Sequence, residues 1–169
     1  AEDFYLLGKL SKIRPLARLD GAPVRIRSRV SDRVPFGTGA ETHRLTRRGQ
    51  LMLYHPDCFA AVRDVMWRLQ SLSELRRVSG NEWLAHLGPP VQWFLESQGA
   101  LLAWPTLSEQ APHPRARLRR FHDWFDGFRT LKLIHYLRDH VAPSLPWQDA
   151  MRLAPFMNDT EDDGAFLCE

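Results

Sequence analysis

Three side chains have types and spacing suited to holding a metal or running acid–base chemistry: His43, His55 and Cys58. His55-x2-Cys58 offers an imidazole and a thiol about one helical turn apart, two of the ligands a tetrahedral zinc site takes. The thiol falls in the first turn of the helix that Pro56-Asp57 starts, where a thiolate is stabilised but where a buried, inert thiol is also common. His122 with Asp126, and His135 with Asp139, stand four apart, the separation at which side chains meet across one turn. On one helix His122 and His135 point roughly 220° apart, so the two pairs do not build one centre. The chain contains no GxxxxGK, HExxH, GxSxG or dinucleotide-binding glycine pattern. Phe36-Gly37-Thr38-Gly39 lacks the lysine and the following helix start of a phosphate loop. No catalytic residue and no metal ligand is assigned, and no cofactor of the protein's own is expected. An enzyme acting through His55 and Cys58 is kept as a third alternative.

The elements that must position these residues are of mixed type. Phe4, Leu7, Leu10, Ile13 and Leu16 recur every three residues, which predicts an amphipathic helix over 3–19 that Pro15 bends or ends. Val24-Arg25-Ile26-Arg27-Ser28-Arg29-Val30 alternates, placing Val24, Ile26 and Val30 on one face of a strand and Arg25, Arg27 and Arg29 on the other. Residues 31–42 read as a loop, and Gln50–Tyr54 as a second strand that stops before Pro56. Phe59, Val62, Val65, Met66, Leu69, Leu72 and Leu75 then recur at three and four, a long helix closed by Gly80. Trp83, Leu84 and Leu87 suggest a short helical piece. Pro89-Pro90 opens a helix over 90–98 with Val91, Phe94 and Leu95 inward. Ala100–Trp104 reads as a third strand, residues 115–140 as one helix, and Trp147–Met157 as a last short one.

Composition agrees with one globular domain. The chain has 169 residues, of which 44% are hydrophobic and 25% charged, and no apolar run approaches the roughly 18–20 residues that span a bilayer. Ala1-Glu2-Asp3 has neither the basic region nor the apolar stretch of a signal peptide, so the expected compartment is the cytoplasm. Two cysteines, Cys58 and Cys168, exclude a disulfide framework and a Cys-only zinc site. All 23 Lys and Arg precede residue 159, whereas five of the 20 acidic residues lie within 159–169, so an acidic tail there adjoins a basic body at 1–158. Only Lys9, Lys12 and Lys132 are lysines; the other cations are arginines, planar donors suited to carboxylate, phosphate or peptide partners.

From Arg47 to Trp104 a more specific pattern runs through the chain. Arg48-Gly49-Gln50-Leu51-Met52-Leu53 is followed by the periodic stretch Phe59–Leu75, Ser79-Gly80, Val91-Gln92-Trp93-Phe94 and Gln98-Gly99-Ala100-Leu101-Leu102-Ala103-Trp104. Over about a third of the chain this resembles the MbnC-like partner proteins of DUF692-type multinuclear iron oxidases, which modify ribosomally made peptides. The resemblance implies a non-catalytic accessory subunit that forms a heterodimer with the oxidase and captures the precursor's leader peptide as an added β-strand. It implies iron in the partner subunit and carries no catalytic residue to this chain. The arginine strand before Arg47 and the chain after residue 140 have no counterpart in it.

The expectation is therefore an α+β fold, mostly helical, with a small antiparallel sheet of about three strands and a winged-helix-like peptide-recognition core over about 23–104. A helical extension follows over about 113–157. Leader capture would use the edge of Val24–Val30 or Gln50–Tyr54 and the groove beside the helix at 90–98. Arg25, Arg27 and Arg29 would meet acidic side chains, and Leu51 and Leu53 would set register. The same arginines also fit a nucleic-acid-binding regulator, or the solvated outer face of a sheet. Phe121, Trp124, Phe125 and Phe128, with Arg117, Arg119 and Arg120 one turn earlier, suit either a core or the interface with the oxidase subunit. No membrane partner is expected.

Overall fold

The computed structural model describes residues 2–17, 21, 45, 49–74 and 79–154. The arginine strand read at Val24–Val30, the loop at 31–42, His43 and the acidic tail lie outside the described residues. The chain divides into two units, Ala1–Leu51 and Met52–Glu169. The first contains α1 (Glu2–Ile13), on which the side chains of Phe4, Leu7, Leu10 and Ile13 are exposed.

In the second unit β1 (Met52–Leu53) leads into α2 (Pro56–Ser73), followed by α3 (Gly80–Leu84), α4 (Pro89–Ser97), α5 (Ala100–Glu109), α6 (Pro114–Trp124) and α7 (Gly127–His140). The chain returns through β2 (Leu145–Pro146) to α8 (Trp147–Leu153). β1 and β2 pair antiparallel, Met52 opposite Pro146 and Leu53 opposite Leu145. The described residues are thus mostly helical with a small two-stranded antiparallel sheet, an α+β arrangement as the periodicities predict.

Helix starts are written locally. Pro56, Pro89 and Pro114 each open a helix, where a missing N–H costs nothing. Ser79 and Glu82 form a reciprocal capping box at α3: Ser79 Oγ accepts from the Glu82 N–H at 3.2 Å, and Glu82 Oε2 accepts from the Ser79 N–H at 2.6 Å. Those bonds hold the Glu82 carboxyl below its ordinary range.

The core lies where α2 packs on α6 and α7 and where α3 packs on α5. Val65, Leu69 and Leu72 of α2 face Leu133 and Leu137 of α7 within one cluster of buried residues. Its aromatic part is built on Trp83, whose ring lies 6.0 Å from Trp104, 5.5 Å from Phe121 and 6.3 Å from Trp124. The Trp83 indole N–H donates to Ala100 O at 3.3 Å, fixing α3 against the start of α5. At the same contact a Cβ on Gly80 would stand 2.4 Å from Leu101 O and 2.8 Å from Leu101 Cα, so only glycine fits. Pro105, one turn further along α5, has no N–H to give that carbonyl.

Arg117 is buried, contrary to the surface role its sequence neighbourhood suggests. Its Nε donates to Ser73 O at 2.7 Å, and its Nη1 donates to Ala111 O at 3.1 Å and Pro112 O at 3.0 Å. One guanidinium thereby satisfies carbonyls at the end of α2 and in the turn before α6, where the helix dipole of α2 favours a cation.

Four expectations are corrected. Ala100–Trp104 is the first half of α5, not a strand. Alanine and leucine are strong helix formers, and a short apolar run has no period to tell the two states apart. The helix read over 115–140 is two helices: Phe125 leaves helical geometry, and the Asp126 carboxylate accepts from the Phe128 and Arg129 N–H groups at 3.1 Å to start α7. Asp126 is therefore a cap, and it does not share one continuous helix with His122. Gly80 opens α3 and does not close α2. Phe59, assigned to the buried face of α2, is exposed.

Candidate functional site

At the junction that follows β1, Tyr54 meets polar side chains of α7. Tyr54 directly follows β1, and its hydroxyl lies 2.8 Å from His135 Nε2 on α7, a bond between residues far apart in sequence. The Phe59 ring meets Tyr54 edge-on at 6.3 Å, and the Arg138 guanidinium sits 5.9 Å from the centre of the Tyr54 ring. Arg138 donates through Nε and Nη2 to both carboxylate oxygens of Asp139, at 2.7 and 2.9 Å. That pairing raises Arg138 and lowers Asp139 from their ordinary values. Asp139 is thus engaged by its sequence neighbour, while His135, expected to pair with it, bonds Tyr54.

His55 and Cys58 serve the start of α2. His55 Nδ1 accepts from the Asp57 N–H at 3.2 Å, a side-chain cap. Cys58 is fully buried, and its thiol donates to Ala142 O at 3.7 Å, tying α2 to the turn after α7. Burial, and then the Asp57 charge, push the thiol above its ordinary value, the opposite of what a nucleophile or metal ligand needs. Among the described residues no three His, Cys, Asp or Glu side chains converge to hold a metal ion. The Tyr54 hydroxyl and the His135 imidazole are each other's hydrogen-bond partner, and the Cys58 thiol is turned away to Ala142 O.

Of the residues assigned to peptide capture, Arg25, Arg27 and Arg29 lie outside the described residues. Leu51 is exposed, Leu53 is half-buried in β1, and Met52 between them is exposed. The sheet has two strands, so each strand has a strand neighbour on one side only among the described residues. Exposed Trp147 begins α8 directly after Pro146, the cross-strand partner of Met52. α4, which packs on α5 and α7, buries Val91, Phe94 and Leu95 and exposes Trp93, while α8 is the helix that packs on both strands.

The four aromatic residues named for the partner interface separate. Phe121 and Phe125 are in the interior, 1% and 2% exposed, with their rings stacked 5.9 Å apart. Trp124 is half-buried under the Arg129 guanidinium, which lies 4.7 Å from its ring centre. Phe128 is exposed, with Lys132 Nζ 4.5 Å from its ring centre. In the sequence these four look alike; at the end of α6 Phe121 and Phe125 turn inward with Trp124 at their margin, and Phe128 lies exposed beyond the break at Asp126.

β2 and the Tyr54–His135 contact were missed. A two-residue strand containing proline carries no alternation, and nothing local marks a bond that bridges two distant segments. Comparison with known proteins gives no match to a family model, a curated protein or a solved structure. Among the described residues no helix is long and apolar enough to cross a membrane.

Proposed function

We propose that this protein is a non-catalytic accessory subunit that binds a ribosomally made precursor peptide by strand addition and presents it, in the cytoplasm, to a partner multinuclear iron oxidase. The observation that carries the reading is the two-stranded β1–β2 sheet, each strand of which has a side without a strand neighbour among the described residues. Such an edge offers main-chain N–H and C=O groups to an incoming peptide, while adjacent side chains supply selectivity. Exposed Met52 and Trp147 provide apolar area beside it. The resemblance over Arg47–Trp104 implies this kind of partner, with the iron held there. Arg25, Arg27 and Arg29 would meet acidic side chains of the leader.

The test is co-purification of the untagged protein with the products of neighbouring genes, followed by metal analysis. A stoichiometric iron-containing partner is expected. Met52→Pro, which removes a main-chain donor from β1, should weaken binding of the co-encoded precursor peptide, as should Arg25→Glu with Arg27→Glu. A protein that purifies alone with nucleic acid removable by high salt would overturn the reading in favour of a regulator, because phosphate binding weakens steeply with salt.

A further inference from the structure

The helix α6 carries a basic face that neither the core nor the sheet edge uses. Arg117 and Phe121 point inward, 2% and 1% exposed, while Arg115, Arg119, Arg120 and His122 are exposed. At about 100° per residue, Arg115, Arg119 and His122 fall within about 60° of one another, on the side away from the buried pair. Among the described residues Arg115 and Arg119 make no hydrogen bond or ion pair. Arg120 has only a long contact, Nη1 at 3.4 Å from Gln110 Oε1. Two other exposed arginines of the second unit are paired, Arg63 with Asp64 and Arg152 with Asp149. Asp123 is the one acid at the end of the stripe.

We propose that this face of α6 is a docking surface for a short, extended, acidic peptide segment of a partner. Arg115 and Arg119 are separated by a rise of about 6 Å along the helix. Alternate residues of an extended chain are about 6.6 Å apart on one face. Successive carboxylates of a segment with acids at every second position therefore meet the two guanidinium groups in turn, and each guanidinium can engage a carboxylate through two parallel hydrogen bonds. Nucleic acid fits less well, since its affinity grows with the number of phosphates neutralised, this stripe offers two guanidinium groups unpaired among the described residues, and Asp123 closes it. The surface stands independently of strand addition at β1.

The test is fluorescence anisotropy at low salt with three labelled probes: a seven-residue peptide alternating Glu and Ser, the same peptide with Gln for Glu, and a twelve-nucleotide oligothymidylate. The Glu peptide should bind about tenfold or more tightly than the Gln peptide. Arg115→Ser with Arg119→Ser should weaken it about fivefold or more, from the range measured for exposed ion pairs. Arg63→Ser with Arg152→Ser should leave it unchanged. Far-UV circular dichroism checks the fold, and the single variants Arg115→Gln and Arg119→Gln replace the double variant if it does not fold. Equal binding of the Glu and Gln peptides, or equal losses in both double variants, overturns the proposal. So does loss on replacing Arg25, Arg27 and Arg29 but not Arg115 and Arg119. Tighter oligothymidylate binding through the same two arginines reassigns the face to nucleic acid.

Discussion

Gly80→Ala should destabilise the second unit through a single backbone contact. The added Cβ would lie 2.4 Å from Leu101 O and 2.8 Å from Leu101 Cα, so α5 must retreat by at least about 0.6 Å to restore even the shortest contact real side chains show. Neither neighbour is a flexible side chain that can swing aside. α5 is also held from two directions, by the Trp83 N–H on Ala100 O and by Trp104, whose ring lies 5.6 Å from Phe121. Overpacking of this kind costs about 1–3 kcal/mol, and a rigid backbone contact belongs in the upper part of that range. Alanine recovers about 0.5–1 kcal/mol as a better helix residue than glycine, leaving a net loss of about 2 kcal/mol. At about 2–4 °C per kcal/mol for a chain of this size, the midpoint should fall by about 4–8 °C. The assay is thermal and urea unfolding followed by tryptophan fluorescence, to which buried Trp83 and Trp104 contribute the change on exposure. Gly88→Ala is the control: Gly88 has φ −62° at the start of α4 and open space around it, so its cost should stay within about 1 kcal/mol. Equal stabilities of Gly80→Ala and wild type, or equal losses at the two glycines, would refute the contact argument.

Two further outcomes follow from buried polar groups. Arg117→Met keeps the length of the side chain but leaves the carbonyls of Ser73, Ala111 and Pro112 without their donor, at about 3 kcal/mol in total. The urea midpoint should drop by about 1.5 M for a slope of about 2 kcal/mol/M, and a shift under about 0.5 M would show that water replaces the guanidinium at little cost. Cys58 has its thiol raised above the ordinary 9.0, first by burial and then by Asp57. The unfolded thiol ionises first as pH rises, so the native state holds more protons there and this contribution falls above about pH 9. Wild type should lose stability relative to Cys58→Ala only above that pH, and a constant difference across the range would contradict the burial of the thiol.

The candidate site was legible in the sequence in proportion to how local its causes are. Pro56 and the periodic residues behind it marked α2, and Met52–Leu53 fell inside the strand read at Gln50–Tyr54, because prolines and alternation act over a few residues. His135 was read as a partner for Asp139 because four residues along one helix is the only geometry visible in one dimension. Its actual partner, Tyr54, is brought to it by the packing of α2 on α7. Arg117 looked like a rim residue because arginine is commonly exposed; what buries it is a set of carbonyls from the end of α2 and the turn before α6, which a linear pattern cannot display. The four aromatic residues 121–128 carried one stripe in the sequence; the Asp126 cap takes Phe128 onto a new helix, and packing against the core divides Phe121 and Phe125 from half-buried Trp124.

By itself the sequence determined the class of fold, the helix starts at Pro56 and Pro89, and, apart from Phe59, the inward faces of α2 and α4. Those features follow from backbone donors, caps and periodic burial, which are set within about one or two turns. Only the tertiary structure decided that Ala100–Trp104 is helical, that Leu145–Pro146 completes the sheet with Met52–Leu53, and that Arg115 and Arg119 face outward while Arg117 faces in. Each of these depends on which segment arrives from far along the chain, and that is fixed by close packing rather than by local preference.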